Sequence, residues 1–167
     1  MESLPRSRSE EPLSLPEFDI FASVWYIHCM TAISDAHMAQ KQTIFPMLDY
    51  EDAPAAIEFL TKAFGFVEQS RLDGENGTIG HAELSLDGQV VMLASVWRDG
   101  GFSTPRDLGG NHSQIFCVVS DVDQHWQAAR EGGAIVVGEP QDQEYGYRTY
   151  RATDPEGHRW YFAGLLS

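Results

Sequence analysis

One segment of this chain occurs twice, and that repetition constrains the fold more than any other feature. Residues 44–52, Ile-Phe-Pro-Met-Leu-Asp-Tyr-Glu-Asp, lead into a helical pattern that closes at Gly65-Phe66. About 69 residues on, residues 113–121, Ser-Gln-Ile-Phe-Cys-Val-Val-Ser-Asp, lead into a second one closing at Gly133-Ala134. Each copy reads as a strand, a turn at aspartate, a helix and a glycine stop. A period of this size means two related units, each too small to bury its own apolar face. Function is then to be sought on the surface the two units make together.

With 167 residues the chain has room for one domain with a real core, and two separate domains are not expected. Eleven Lys and Arg stand against 25 Asp and Glu, a net charge of −14. Nucleic acid and anionic membrane surfaces need clustered positive charge, so both are excluded as partners. Only Cys29 and Cys117 are present, too few for a disulfide framework or a cysteine-based zinc site. Cys117, within an apolar strand pattern, reads as a small packing residue.

Residues 1–40 belong to neither repeat and read as a flexible extension. The first 19 are rich in Ser, Pro and Glu with no apolar periodicity. Residues 20–30 are apolar but far short of the roughly 20 that a membrane span requires. Acidic residues precede that run and no cleavage pattern follows it, so a signal peptide is not expected and the cytoplasm is the expected compartment. Met30 and Met38 are candidate later starts.

Residues 41–167 hold the two modules, 43–97 and 112–164. In the first, a strand over 43–49 precedes a helix opened by Asp52-Ala53-Pro54, an N-cap with proline in the first turn. Ile57, Leu60 and Phe64 recur at helical spacing, and Gly65 closes the helix. Strands over 66–72, 78–86 and 89–96 follow, the last two joined by the hairpin signal Asp87-Gly88. In the second module a strand over 113–119 and a helix over 122–132 precede strands over 134–137, 148–152 and 158–162. The last two are joined by the turn Asp154-Pro155-Glu156-Gly157. A glycine-rich linker over 98–111 is expected to be flexible and exposed, as functional loops often are.

The twofold β-α-β-β-β order, the Asp-Pro-Glu-Gly-His-Arg-Trp run at 154–160, Tyr-Gly-Tyr-Arg at 145–148 and Gly-Gly at 109–110 together resemble the vicinal oxygen chelate superfamily. Within it the chain looks most similar to glyoxalase, bleomycin-resistance and PhnB-like proteins, over residues 43–164. The resemblance implies an α+β fold in which two βαβββ modules form an open, curved, eight-stranded mixed sheet with the helices outside and a ligand cleft inside. It also implies a homodimer.

Metal-dependent members of that superfamily place His, Gln and Glu ligands early in the first strand and near the last strand of each module. Carried over, three of these positions fall on Phe45, Gln114 and Tyr161, and the fourth in 89–96, where no Asp, Glu or His occurs. One amide oxygen does not hold a divalent ion, so no metal ligands and no cofactor are expected. Phe45, Met47 and Tyr161 instead line the cleft if strand alternation holds, with Trp97 at its edge and Gln114, His81, Arg148 and Tyr150 as candidate polar anchors. Ile44, Leu48, Ile115, Cys117, Trp160 and Phe162 have the opposite parity and belong to the core.

A metal-independent protein that encloses a small aromatic or cationic organic molecule in the cleft is the leading expectation; the chain's acidity favours a cation, and binding alone would protect against an antibiotic by sequestration. The alternative is a lyase, isomerase or dioxygenase of the glyoxalase type, whose metal would have to be assembled from residues such as His112, Gln114 and Glu156. A third reading is an interaction or regulatory module whose cleft is filled by its own Phe45, Trp97 and Tyr161. No catalytic residue is identified. Asp49, Glu51 and Asp52, like Asp121 and Asp123, read as charges around helix starts.

Overall fold

The computed structural model describes residues 42–166; the extension expected at 1–40, with Cys29, Met30 and Met38, lies outside the described residues. The first module runs β1 (Met47–Tyr50), α1 (Ala53–Phe64), β2 (Val67–Asp73), β3 (Ile79–Leu86) and β4 (Gln89–Ser95). The second repeats that order with β5 (Ile115–Val118), α2 (Val122–Glu131), β6 (Ile135–Asp142), β7 (Tyr147–Thr153) and β8 (Arg159–Leu165). The eight strands form two four-stranded mixed sheets, ordered β1-β4-β3-β2 and β5-β8-β7-β6. In both, the first strand lies parallel to the last and the remaining pairs are antiparallel.

Local chemistry explains most element boundaries. The Asp52 carboxylate accepts the Ala55 amide at 3.0 Å to cap α1, and Gly65, at φ 71°, closes it. Asp121 caps α2 in the same way through the Gln124 amide at 2.9 Å. Asp87 and Gly88 both have positive φ, which a two-residue hairpin of this kind requires. The first strand is shorter than 43–49 because Pro46 has no amide to donate, and the ladder begins just after it. Ile44 therefore escapes the alternation and is 81% exposed rather than part of the core. Strand β6 runs past the expected end at Val137, its ladder carrying a register shift between Val137 and Gln141 where Gly138 and Pro140 fall.

One core serves both modules. The helix-facing side chains of the first sheet, Ala82, Leu84, Val91 and Leu93, join the α1 stripe and, from the second module, Tyr150, Ala152, Trp160 and Phe162. The Phe64 ring lies 5.5 Å from Trp160 and 4.9 Å from Phe162, so the end of α1 is inserted against β8. The helices themselves approach closely: a Cβ on Gly132 would stand 2.5 Å from the Cα of Ala63. His125 on α2 ties the layers. Its Nε2 donates to the Phe64 carbonyl at 3.1 Å, leaving Nδ1 to accept from the Tyr150 hydroxyl at 2.5 Å.

Polar links complete the junction. Asp154, 1% exposed, accepts the Tyr50 hydroxyl at 2.8 Å and the Trp160 indole N–H at 3.2 Å through Oδ2. Its Oδ1 accepts the amides of Glu156 and His158, both at 3.0 Å. Glu156 reaches the other way, accepting the Glu51 and Asp52 amides at 2.7 and 2.8 Å, so a second-module carboxylate caps the start of the first-module helix. The linker is pinned rather than free. Arg98 pairs with Glu51 and Asp107, the Arg106 guanidinium donates to the Pro155 carbonyl, and Asn111 donates to the Gly157 carbonyl.

Replacing Asp154 by Ala leaves two buried side-chain donors and two turn amides without their acceptor. Urea unfolding should register a loss of about 3 kcal/mol or more, and Tyr50→Phe a loss of about 1 kcal/mol. Acid should also weaken the fold through His125. Burial lowers the pKa of its imidazole, against the Phe64 carbonyl bond, so the folded state binds this proton less readily than the unfolded chain. That stabilisation is complete above the ordinary value of about 6.5 and is lost as pH falls below it. Between pH 7.5 and 5.5 the wild-type melting temperature should fall more steeply than that of His125→Gln.

Candidate functional site

The face of the second sheet turned away from the core carries an aromatic cluster. Register builds it: Phe116 on β5 is level with Tyr161 on β8, which is level with Arg151 on β7, and Thr149 and Tyr147 follow on the same face of β7. The Phe116 and Tyr161 rings stack at 5.3 Å, and Tyr147 meets Phe116 edge-on at 6.1 Å. Tyr145, in the turn before β7, lies 6.1 Å from Tyr147. Phe116 and Tyr145 are 51% and 59% exposed, and Val118 and Val137 also face solvent.

Polar groups are set into this surface. The Tyr161 hydroxyl lies 3.0 Å from that of Tyr145 and 3.2 Å from Thr149 Oγ1, and the Arg151 guanidinium sits 5.2 Å above the Tyr161 ring. Hydrogen bonding from Thr149, then Tyr145, lowers the pKa of the Tyr161 phenol, with Arg151 adding to the effect. The arrangement offers flat rings for stacking and clustered hydroxyls for orientation, which suits an organic ligand.

The eight residues expected to bind ligand do not form one group. Tyr161 is at the centre of the aromatic cluster. Gln114, one residue ahead of β5, is exposed. Met47 is exposed on β1, and Phe45, half-buried, precedes that strand. Trp97 is 38% exposed, stacks on Phe102 at 6.4 Å and borders a surface cavity of about 330 Å³ with Glu51 and Arg98. Its ring covers Gly100 so closely that a Cβ there would stand 2.3 Å from an indole carbon. His81 lies buried in the first sheet, 3.4 Å from the Glu83 carboxylate.

Two expected anchors are already engaged by other side chains. Tyr150 is 2% exposed and its hydroxyl is held by His125, because its position on β7 points into the core. Arg148 is taken by Asp123 at 2.8 Å and Asp142 at 2.7 Å. Phe116, Tyr145, Tyr147, Thr149 and Arg151 were not singled out from sequence as site residues. The alternation of Tyr145, Tyr147, Thr149 and Arg151 through one strand entry was the available signal, and it becomes meaningful only when β5 supplies Phe116.

The residues at the superfamily's metal positions do not fit a divalent ion. Phe45 and Tyr161 offer no ligand suited to one, and β4 contributes none. Among the described residues no three His, Cys, Asp or Glu side chains stand close enough to share an ion. Glu156, considered for the alternative set with His112 and Gln114, has both oxygens engaged by the Glu51 and Asp52 amides. Burial pushes the Cys117 thiol up to about 12, which removes it as a nucleophile at neutral pH.

Residues 46–162 match the model of the glyoxalase/bleomycin resistance protein/dioxygenase superfamily. The chain belongs to that superfamily. The Mycobacterium tuberculosis protein Rv0887c is 38% identical to it over 139 residues, 77% of this chain and 82% of the relative. Mycobacterium bovis Mb0911c is 41% identical over 123 residues, 72% and 81% of the two chains. Among solved structures, TioX from Micromonospora sp. ML1 is 34% identical, with a TM-score of 0.60 over 75% of this chain and 99% of TioX. The Listeria monocytogenes fosfomycin resistance protein FosX, solved with Mn(II) and sulfate, shares the fold at a TM-score of 0.57 and 12% identity, over 75% and 91% of the chains.

Core and surface aromatics of this superfamily member should separate cleanly in stability measurements. Trp160→Ala removes a buried ring and should cost about 3–5 kcal/mol. Tyr161→Ala and Trp97→Ala should each cost about 1 kcal/mol or less in urea unfolding, as expected of surface side chains.

Proposed function

We propose that this protein binds a small organic molecule on the aromatic face of its second sheet, without a metal ion, and works as a homodimer. The observation that carries this reading is the cluster of Phe116, Tyr161, Tyr147 and Tyr145, with Phe116 stacked on Tyr161, together with its hydroxyls and Arg151. A contiguous aromatic surface on an otherwise strongly acidic chain is costly to leave in water and marks a site of contact. Its rings supply stacking area, and Thr149, Tyr145 and Tyr161 supply donors and acceptors that set a ligand's orientation. The metal-free character is inferred from the donors at the superfamily positions. A second copy of the chain would close a cleft over the exposed sheet, and sequestration of a toxic compound in the cytoplasm is the role we assign to it.

Native mass spectrometry of freshly purified protein, before any chelator, tests all three elements. The expected species is a metal-free dimer that retains or takes up an aromatic ligand, with binding unchanged after dialysis against EDTA. Phe116→Ala and Tyr161→Ala should each weaken binding at least about tenfold, as loss of a stacking aromatic does. A requirement for one divalent ion per cleft would instead place the protein with the metal-dependent enzymes of the superfamily.

A further inference from the structure

Beneath the linker, where β1 meets the start of β8, lies a cavity of about 290 Å³. Met47, Phe102 and Leu108 give it apolar walls, and His112, His158, Arg159 and Asp49 give it polar ones. The His158 Nε2 is already committed, donating to the Asp49 carbonyl at 3.0 Å. The Asp49 carboxyl is half-buried, and burial raises its pKa, which the nearby His158 partly opposes.

Arg159 stands apart from the other described arginines. Arg71 pairs with Glu68, Arg98 with Glu51 and Asp107, and Arg148 with Asp123 and Asp142. Arg106 donates to a carbonyl, while Arg130 and Arg151 lie over the rings of Trp126 and Tyr161. Arg159 has no such contact with a described residue. In a chain with 25 acidic side chains, an uncommitted guanidinium at a cavity wall is a fork ready for a two-oxygen anion.

The cavity also adjoins the aromatic face. Arg159 precedes Trp160, which is level with Ile115, so Arg159 and Gln114, the residue just ahead of β5, each stand one step before the first paired residues of the two strands. Tyr161 follows Arg159 on the same face of β8, about 7 Å along the strand. We infer that the ligand is an organic carboxylate whose anionic group enters this cavity against Arg159 while its aromatic part lies on Phe116 and Tyr161. This rests on the proposed ligand-binding role of the aromatic face. The chain's negative field works against any anion, so the local guanidinium must do the selecting.

The test compares 3-phenylpropionate with its uncharged amide, 3-phenylpropionamide, by titration calorimetry on the full-length protein. Wild type should prefer the acid at least about tenfold, the scale of one charge-assisted hydrogen-bonded pair. Arg159→Gln should bring the acid down to the level of the amide, and Arg159→Lys should fall between, keeping the charge without the fork. Tyr161→Ala should weaken acid and amide by a similar factor. If the two ligands bind wild type alike, or Arg159→Gln keeps the preference, the carboxylate assignment is overturned while the aromatic site stands. If neither ligand binds, or binding ignores Tyr161→Ala, the aromatic site itself is overturned, and the carboxylate assignment with it.

Discussion

Two carboxylates in one turn hold this molecule together. Asp154 and Glu156 belong to the second module by sequence, yet the groups they satisfy lie in both. Asp154 fastens the end of β1 to the core through Tyr50, and Glu156 accepts the amides of Glu51 and Asp52 just ahead of α1. A buried carboxylate is costly unless its lone pairs are filled, and each of these is filled by at least two donors. The aromatic core can close only in the register that this turn imposes, because Trp160, which bonds Asp154, also packs on Phe64 and Phe66.

With the junction rigid, the two sheets have become different surfaces. The face of the first sheet away from α1 is buried around His81, Glu83 and Met92, whereas the corresponding face of the second stands open with its rings exposed. The cations of the structure follow the same division of labour. Arg98 and Arg106 hold the linker down over the junction cavity, Arg148 locks α2 to β6 and β7, and Arg151 and Arg159 are left beside the aromatic face.

Much of the fold was legible because its signals are local. Asp52, Pro54 and Gly65 announce α1, Asp87-Gly88 announces its hairpin, and Trp160 and Phe162 reveal the core side of β8 by alternation. The candidate site was harder to read because it depends on pairing between distant strands. Tyr150 looked like an anchor until register placed it beside His125, and Arg148 looked available because Asp123 is 25 residues away. Phe116 and Tyr145 acquire meaning only from β5 lying beside β8. The long β6 was missed for the opposite reason: Gly138 and Pro140 are local signals of a break that the bulged ladder absorbs.

The Glu156 cap has a consequence for how the chain becomes a protein on the ribosome. The carboxylate that receives the Glu51 and Asp52 amides ahead of α1 is about 104 residues downstream, so the first module emerges with those amides unmet and with Phe64 and Phe66 not yet covered by Trp160. Contacts of such sequence separation form late, after the loop entropy between them has been overcome. Nascent chains must therefore pass through a stretch of synthesis in which half the molecule is translated, apolar and unfinished. That interval, with the apolar face of the first module uncovered, is one in which contacts with other chains or chaperones compete with folding.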